Sequence, residues 1–280
     1  MTQGSLEIVL RRDRLVVAAA LVVLAACAWG YVLWIAFGMN MPAAGGSAMS
    51  MGPMGDMGAM LAPALKPWSA AEFVFVLTMW AVMMVGMMTP SAAPMILIYA
   101  RVARQAALQG RPFAATGWFA AGYLACWIGF ALLATGAQWA LERAALFAPA
   151  TARAPDAIGG LVLLAAGLYQ LTPVKNACLS QCQSPLFFIQ RHGGFRADAA
   201  GSFRLGLTHG AYCVGCCWAL MALLFVGGVM NVLWIVGLTA LVLLEKVSRP
   251  TRIVPVVIGC ALSAAGLWLV AASGLVGSFG

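Results

Sequence analysis

The chain has 280 residues, of which 63% are hydrophobic and only 9% charged, with a net charge of +8. A soluble domain carries about 25% charged residues, so this composition excludes a water-soluble globule: there is too little polar surface to cover the apolar residues. A basic balance of this size would point to nucleic acid in a soluble protein. Here the cations punctuate apolar segments, and the expected partner is the lipid bilayer, with no nucleic acid.

About 20 mostly apolar residues cross a bilayer. Segments 15–37, 73–99, 113–140, 158–172, 205–229, 232–244 and 253–276 predict an all-α, polytopic membrane helix bundle of about seven transmembrane helices in a single domain. The fourth and sixth are short, and only Met230 and Asn231 part the fifth from the sixth, which leaves room for a tight hairpin. Basic residues gather in cytoplasmic loops. With the N-terminus cytoplasmic and the C-terminus periplasmic, 13 of the 16 cations fall inside and only Lys66, Arg143 and Arg153 outside.

Arg11–Arg14 followed by an apolar run and Cys27 imitates a lipoprotein signal. The apolar run continues through Trp29, Tyr31, Trp34 and Phe37, long enough to span, so a helix is expected there and not a cleaved leader.

The first external loop, residues 38–71, carries seven methionines between Met39 and Met60, including Met51, Met54 and Met57, among glycine, alanine and proline. That density of breakers predicts a flexible segment. Thioether is a soft, neutral ligand suited to Cu(I), so the loop is a candidate for metal capture.

In the second helix Met79, Met83 and Met87 recur at helical spacing and Met84 and Met88 flank them, so that all five share one broad face. Such a stripe is often packing alone. Pro90 and Pro94 follow it directly and each removes a backbone hydrogen bond within the bilayer, and interrupted helices mark ion sites. Site and packing both remain open for Met83, Met84, Met87 and Met88.

The longest internal loop, residues 175–204, carries Cys178, Cys182 and His192. Cys178 and Cys182 are one helical turn apart, adequate for two ligands, whereas His192 beside Arg191 reads as a solvated residue. Further on, His209, Cys213, Cys216 and Cys217 fall on one side of the fifth helix. Three cysteines in five residues favour a soft-metal site or redox-active thiols over the alternative that they are small buried hydrophobes. Cys217 and Met88 each lie 13 residues from a cytoplasmic arginine (Arg204 and Arg101), about 20 Å up at 1.5 Å per residue, so the two clusters could meet. Glu245-Lys246 closes the sixth helix and reads as an interfacial anchor, unless Glu245 turns inward to an arginine. Cys27, Cys126 and Cys260 read as packing.

There is no phosphate loop, no His-x-x-x-His pair and no serine–histidine–acid set, which argues against an enzyme. Three blocks, from Trp80 through Met83-Met84, Met87-Met88 and Pro94, from Lys175 through Cys178, Cys182 and Pro185, and from Gly206 through Cys213, Cys216-Cys217-Trp218 to Asn231, followed by Glu245-Lys246, resemble a bacterial domain-of-unknown-function family of predicted metal-binding integral membrane proteins. Some of its members are labelled copper-related. The resemblance spans roughly residues 80–246 and implies ligands at Cys178, Cys182, Cys213, Cys216 and Cys217; the methionine loop lies outside it.

The resulting expectation is a multi-pass protein of the bacterial inner membrane that binds a soft ion, Cu(I) or another soft metal, for transport or for delivery to a metallochaperone or metalloenzyme. In the transport version the loop captures the ion, the methionines and Cys213, Cys216 and Cys217 hold it, and Cys178 and Cys182 receive it inside. A thiol–disulfide or electron relay and an assembly factor for a membrane metalloenzyme are the alternatives.

Overall fold

In the computed structural model, the structure describes residues 3–40, 68–110, 116–144, 156–248 and 252–273. All regular structure among them is helical: α1 Gln3–Asn40, α2 Ala70–Leu108, α3 Thr116–Arg143, α4 Asp156–Gln170, α5 Pro173–Gln183, α6 Pro185–Arg191, α7 Ala199–Ala222, α8 Leu224–Gly227, α9 Val232–Val247 and α10 Ile253–Ala272. Met51, Met54 and Met57, and with them most of the methionine-rich segment, lie outside the described residues.

Each of the seven predicted segments is mostly helical over its described residues, but not each is long enough to cross a bilayer. Five helices are, namely α1 (its span Val16–Ala36), α2, α3, α7 run together with α8, and α10; the bent pair α4–α5 makes a sixth if counted as one span. Among the described residues, five or six helices thus have the length and hydropathy of a span, beside the about seven expected. α9, at 16 residues, reaches about 24 Å at 1.5 Å per residue, short of the roughly 30 Å hydrocarbon layer. α1 passes through Cys27 without interruption.

Local chemistry sets the helix ends. Ser69 and Glu72 form a reciprocal capping box at the start of α2. Thr172 caps α5 with Pro173 in its first turn, where the missing N–H has no partner to lose. That start turns α5 by 67° from α4. Residues 173–191, expected as loop, are thus two short helices, with Pro185 opening the second. Asp198 caps α7 and Asn231 caps α9. Between them Gly228 takes φ of 93°, the left-handed turn that makes the hairpin after α8. α2 runs unbroken through Pro90 and Pro94. The Thr89 and Ser91 hydroxyls donate to the carbonyls of Val85 and Met88 along this stretch.

Helices pair through small residues, which let backbones approach where lipid supplies no hydrophobic drive. α3 packs on α7 with Gly122 and Gly206 at the crossing, and a Cβ at either would collide with the backbone carbonyl of Phe203 or of Phe119. α4 packs on α10 in the same way: a Cβ on Gly266 would lie 2.6 Å from the Leu164 nitrogen. α1 lies on α2, with Ala28 against Gly86. At one end of the bundle, Trp80 donates to Gln138, and Gln138 and Trp68 both donate to Glu142, tying α2 to α3. Tyr99 and Ser202, 2.6 Å apart, join α2 to α7 at the other end. Between the two ties lies the buried core that holds the sulfur-rich residues.

Candidate metal centre

α7 places Cys213, Cys216 and Cys217 wholly inside the core. Their side chains touch one another, with Cys216 Sγ 3.2 Å from Cys217 Sγ and 3.1 Å from the Cys213 carbonyl, to which it donates. The bend between α4 and α5 brings a fourth thiol to them: Cys182 meets both Cys213 and Cys216. Two cysteine groups that spacing alone placed apart are therefore one cluster of four sulfurs, Cys182, Cys213, Cys216 and Cys217. Cys178, one turn back on α5, is half-buried and lies beside the cluster, its sulfur against Gly215.

Side chains of three other helices surround the thiols. The Tyr123 hydroxyl of α3 donates to the Met88 carbonyl of α2 and lies 3.2 Å from Cys213 Sγ. This one side chain joins the methionine helix to the cysteine helix. Met83, Met84, Met87 and Met88 are buried in the same core. Lys246 of α9 donates to Cys213 Sγ and to Ser91 Oγ, each at 2.9 Å.

His209 is buried on the same helix, but its ring packs among Phe119, Tyr123 and Phe188, at centroid distances of 6.0, 5.8 and 5.0 Å, and its Nδ1 has no hydrogen-bond partner. It stands next to the thiols without sharing the hydrogen bonds that link them. His192, read as solvated, is partly buried at the end of α6 with Nδ1 2.8 Å from the Phe188 carbonyl.

Two residues that sequence reasoning set at the surface are inside. Glu245 is 1% exposed and accepts from Lys175, itself fully buried, at 2.6 Å, and from Gln170 at 2.9 Å. Its partner is thus a lysine of α5 and not an arginine. Gln183, at the far end of α5, donates to the Glu245 carbonyl. Consecutive residues of α9 therefore do different work: Glu245 clamps both ends of the helix that carries Cys182, and Lys246 reaches the thiols. The signal was present in the length of segment 232–244. Thirteen residues rise only about 20 Å, so charges placed directly after them are still at membrane depth.

Four thiols suit a soft ion, and thiolate ligands select Cu(I) and zinc over hard cations. Among the described residues, no three His, Cys, Asp or Glu groups stand ready-spaced around a common metal position. A metal–sulfur bond of about 2.3 Å sets the sulfurs of a trigonal site about 4.0 Å apart, whereas Cys216 and Cys217 are packed at 3.2 Å. The donor chemistry fits, and metal entry has to part the sulfurs by somewhat under 1 Å. All eight cysteines are free thiols.

No curated protein and no solved structure matches the chain. A family model described as PpoB2, copper chaperone, matches residues 77–269, a stretch that begins within α2, ends within α10 and contains every thiol of the cluster. The chain belongs to this copper-chaperone family.

Proposed function

We propose that the protein is a membrane-embedded copper chaperone that takes Cu(I) as cargo at Cys182, Cys213, Cys216 and Cys217 and passes it to a partner metalloprotein. The observation that carries this reading is the arrival of Cys182, on a separately bent helix, at the three cysteines of α7. Packing does not require thiols from two helices to converge, and a soft-metal carrier does. Cys213, Cys216 and Cys217 are buried in a largely apolar core, and soft thiol donors disfavour hard, strongly hydrated ions.

Met83, Met84, Met87 and Met88, buried in the same core, are proposed as thioether donors to the ion. The methionines of the external segment, among them Met51, Met54 and Met57, are the proposed first contact for copper on the periplasmic side of a bacterial inner membrane. Cys178, beside the cluster, and His209, one turn before Cys213 on α7, are the proposed stations through which the ion enters or leaves. Thioether remains available at acid pH, because it has no proton to lose, whereas thiol must be deprotonated to bind.

The test is copper content after anaerobic purification with reductant, comparing the wild type with a Cys213/Cys216/Cys217→Ser variant. The expected result is copper bound stoichiometrically by the wild type and lost in the variant. A wild type that holds no copper after loading with Cu(I) would overturn the proposal. A thiol–disulfide relay has one observation in its favour, the mutual contact of four free thiols. It predicts instead that mild oxidation links Cys182 to an α7 cysteine reversibly, in a protein that never retains metal.

A further inference from the structure

A cavity of about 460 Å³ opens between the end of α6 and the first three turns of α7, with the turn that joins the two helices at its edge. Two arginines line it, Arg196 from the turn and Arg204 from α7, against one carboxylate, Asp198. The copper-carrier reading uses neither arginine.

The turn holds Arg196 in place. Gly193 and Gly194 take φ of 84° and 81°, the left-handed region that glycine enters at little cost. The Arg196 guanidinium lies over Gly193, 2.7 Å from where a Cβ would stand, and donates to the His192 carbonyl at 3.1 Å. The backbone carbonyl of Arg196 accepts from Ser202 at 3.2 Å and from Tyr99 at 3.3 Å. A guanidinium has five N–H donors in a planar fork, so most of the fork remains for an anion. Arg204 has no hydrogen-bond or ion-pair partner for its side chain among the described residues. The Asp198 carboxylate accepts from the Gly201 N–H at 2.6 Å as the cap of α7, which also fills the first turn of that helix.

Depth narrows the ligand. α7 run together with α8 is long and apolar enough to span from Ala199 to Gly227, which sets the cavity at the end of a span, level with lipid headgroups. The two helices that wall it also expose Leu186, Phe187 and Leu207, apolar surface of the kind that acyl chains cover. We propose that this cavity binds a phosphate group at the membrane surface, held by Arg196 and Arg204. The source of that phosphate is an anionic phospholipid headgroup or free phosphate. Guanidinium forks match phosphate oxygens with paired hydrogen bonds, and basic pockets at the ends of membrane helices take anionic headgroups.

The experiment titrates the full chain in neutral detergent with phosphatidylglycerol, phosphatidylcholine or inorganic phosphate at constant ionic strength. Binding is read from the thermal unfolding midpoint and from the lipids retained in native mass spectrometry. Phosphatidylglycerol should raise the midpoint; phosphatidylcholine, whose phosphate is matched by its own choline, should not. Arg196→Gln and Arg204→Gln should each weaken phosphatidylglycerol about tenfold or more, the worth of a hydrogen bond to a charged group. Arg191→Gln removes the same charge from an exposed arginine outside the cavity and should bind as the wild type does. Arg204→Gln deletes a side chain without protein partners, so it reports on binding even if Arg196→Gln does not fold. A midpoint raised by inorganic phosphate, and lost in the same two variants, would support the site with free phosphate as its source. Equal binding of the two lipids, or equal loss in Arg191→Gln and Arg204→Gln, would overturn the proposal in favour of general surface charge. No response to any of the three probes would overturn it outright.

Discussion

The ammonium of Lys175 lies 2.6 Å from the carboxylate of Glu245, and neither side chain is reached by solvent. The pair bridges α5 to α9, and the amide of Gln183 reinforces it at the other end of α5. Cys182 is the next residue to Gln183, so the ion pair holds in place the helix that delivers the fourth thiol. Breaking a buried pair by removing one partner costs on the order of 3–5 kcal/mol, because the other charge is left unpaired. Glu245→Gln and Lys175→Met should each lower the thermal unfolding midpoint markedly in detergent. The combined Lys175→Met/Glu245→Leu variant should lose less than the sum of its parts. Additive single losses would show that the two residues act independently.

Tyr123 spans the Met88 carbonyl and Cys213. Tyr123→Phe removes the hydroxyl and keeps the ring that packs against His209. A net cost of about 1 kcal/mol in stability is expected for the lost hydrogen bonds, together with a weaker hold on copper. Thermal unfolding and Cu(I) competition check the two effects separately. A stability loss with unchanged copper binding would confine Tyr123 to the scaffold.

Gly206 and Gly122 meet backbone across the α3–α7 crossing, whereas Gly129 and Gly136 on α3 have nothing within 4 Å of an added Cβ. Overpacking costs about 1–3 kcal/mol where neighbours can shift, and backbone cannot easily do so. Gly206→Ala and Gly122→Ala should therefore destabilise strongly, with Gly129→Ala and Gly136→Ala close to neutral. Equal unfolding midpoints across the four variants would contradict this packing.

Much of this architecture is written locally in the chain. Apolar segments predict the seven main helices, the stripe from Met79 to Met88 is buried as its spacing implies, and Cys213, Cys216 and Cys217 share one buried face. What local patterns do not carry is the closure between segments. Cys182 joins the α7 thiols only because the chain turns 67° at Thr172–Pro173. Sequence spacing within either helix is silent about that angle. Hydropathy likewise marks Glu245 and Lys246 as an end, because windowed averages see two charges and not their partners. The glycines at 122, 160, 206 and 266 pass unnoticed in a chain with 31 of them, since close approach is a property of the pair of helices.

Cys178 and Cys182 are equivalent by spacing and different by placement: Cys182 touches Cys213 and Cys216, and Cys178 rests against Gly215. The measurement that tests the copper site most directly is Cu(I) affinity, by chelator competition under anaerobic conditions, for Cys182→Ser beside Cys178→Ser. Loss of a ligand should weaken Cys182→Ser by about tenfold or more, some 1.4 kcal/mol, and leave Cys178→Ser near the wild type. Wild-type affinity in Cys182→Ser would contradict the four-thiol site, because the bent helix would then bring no ligand to the metal.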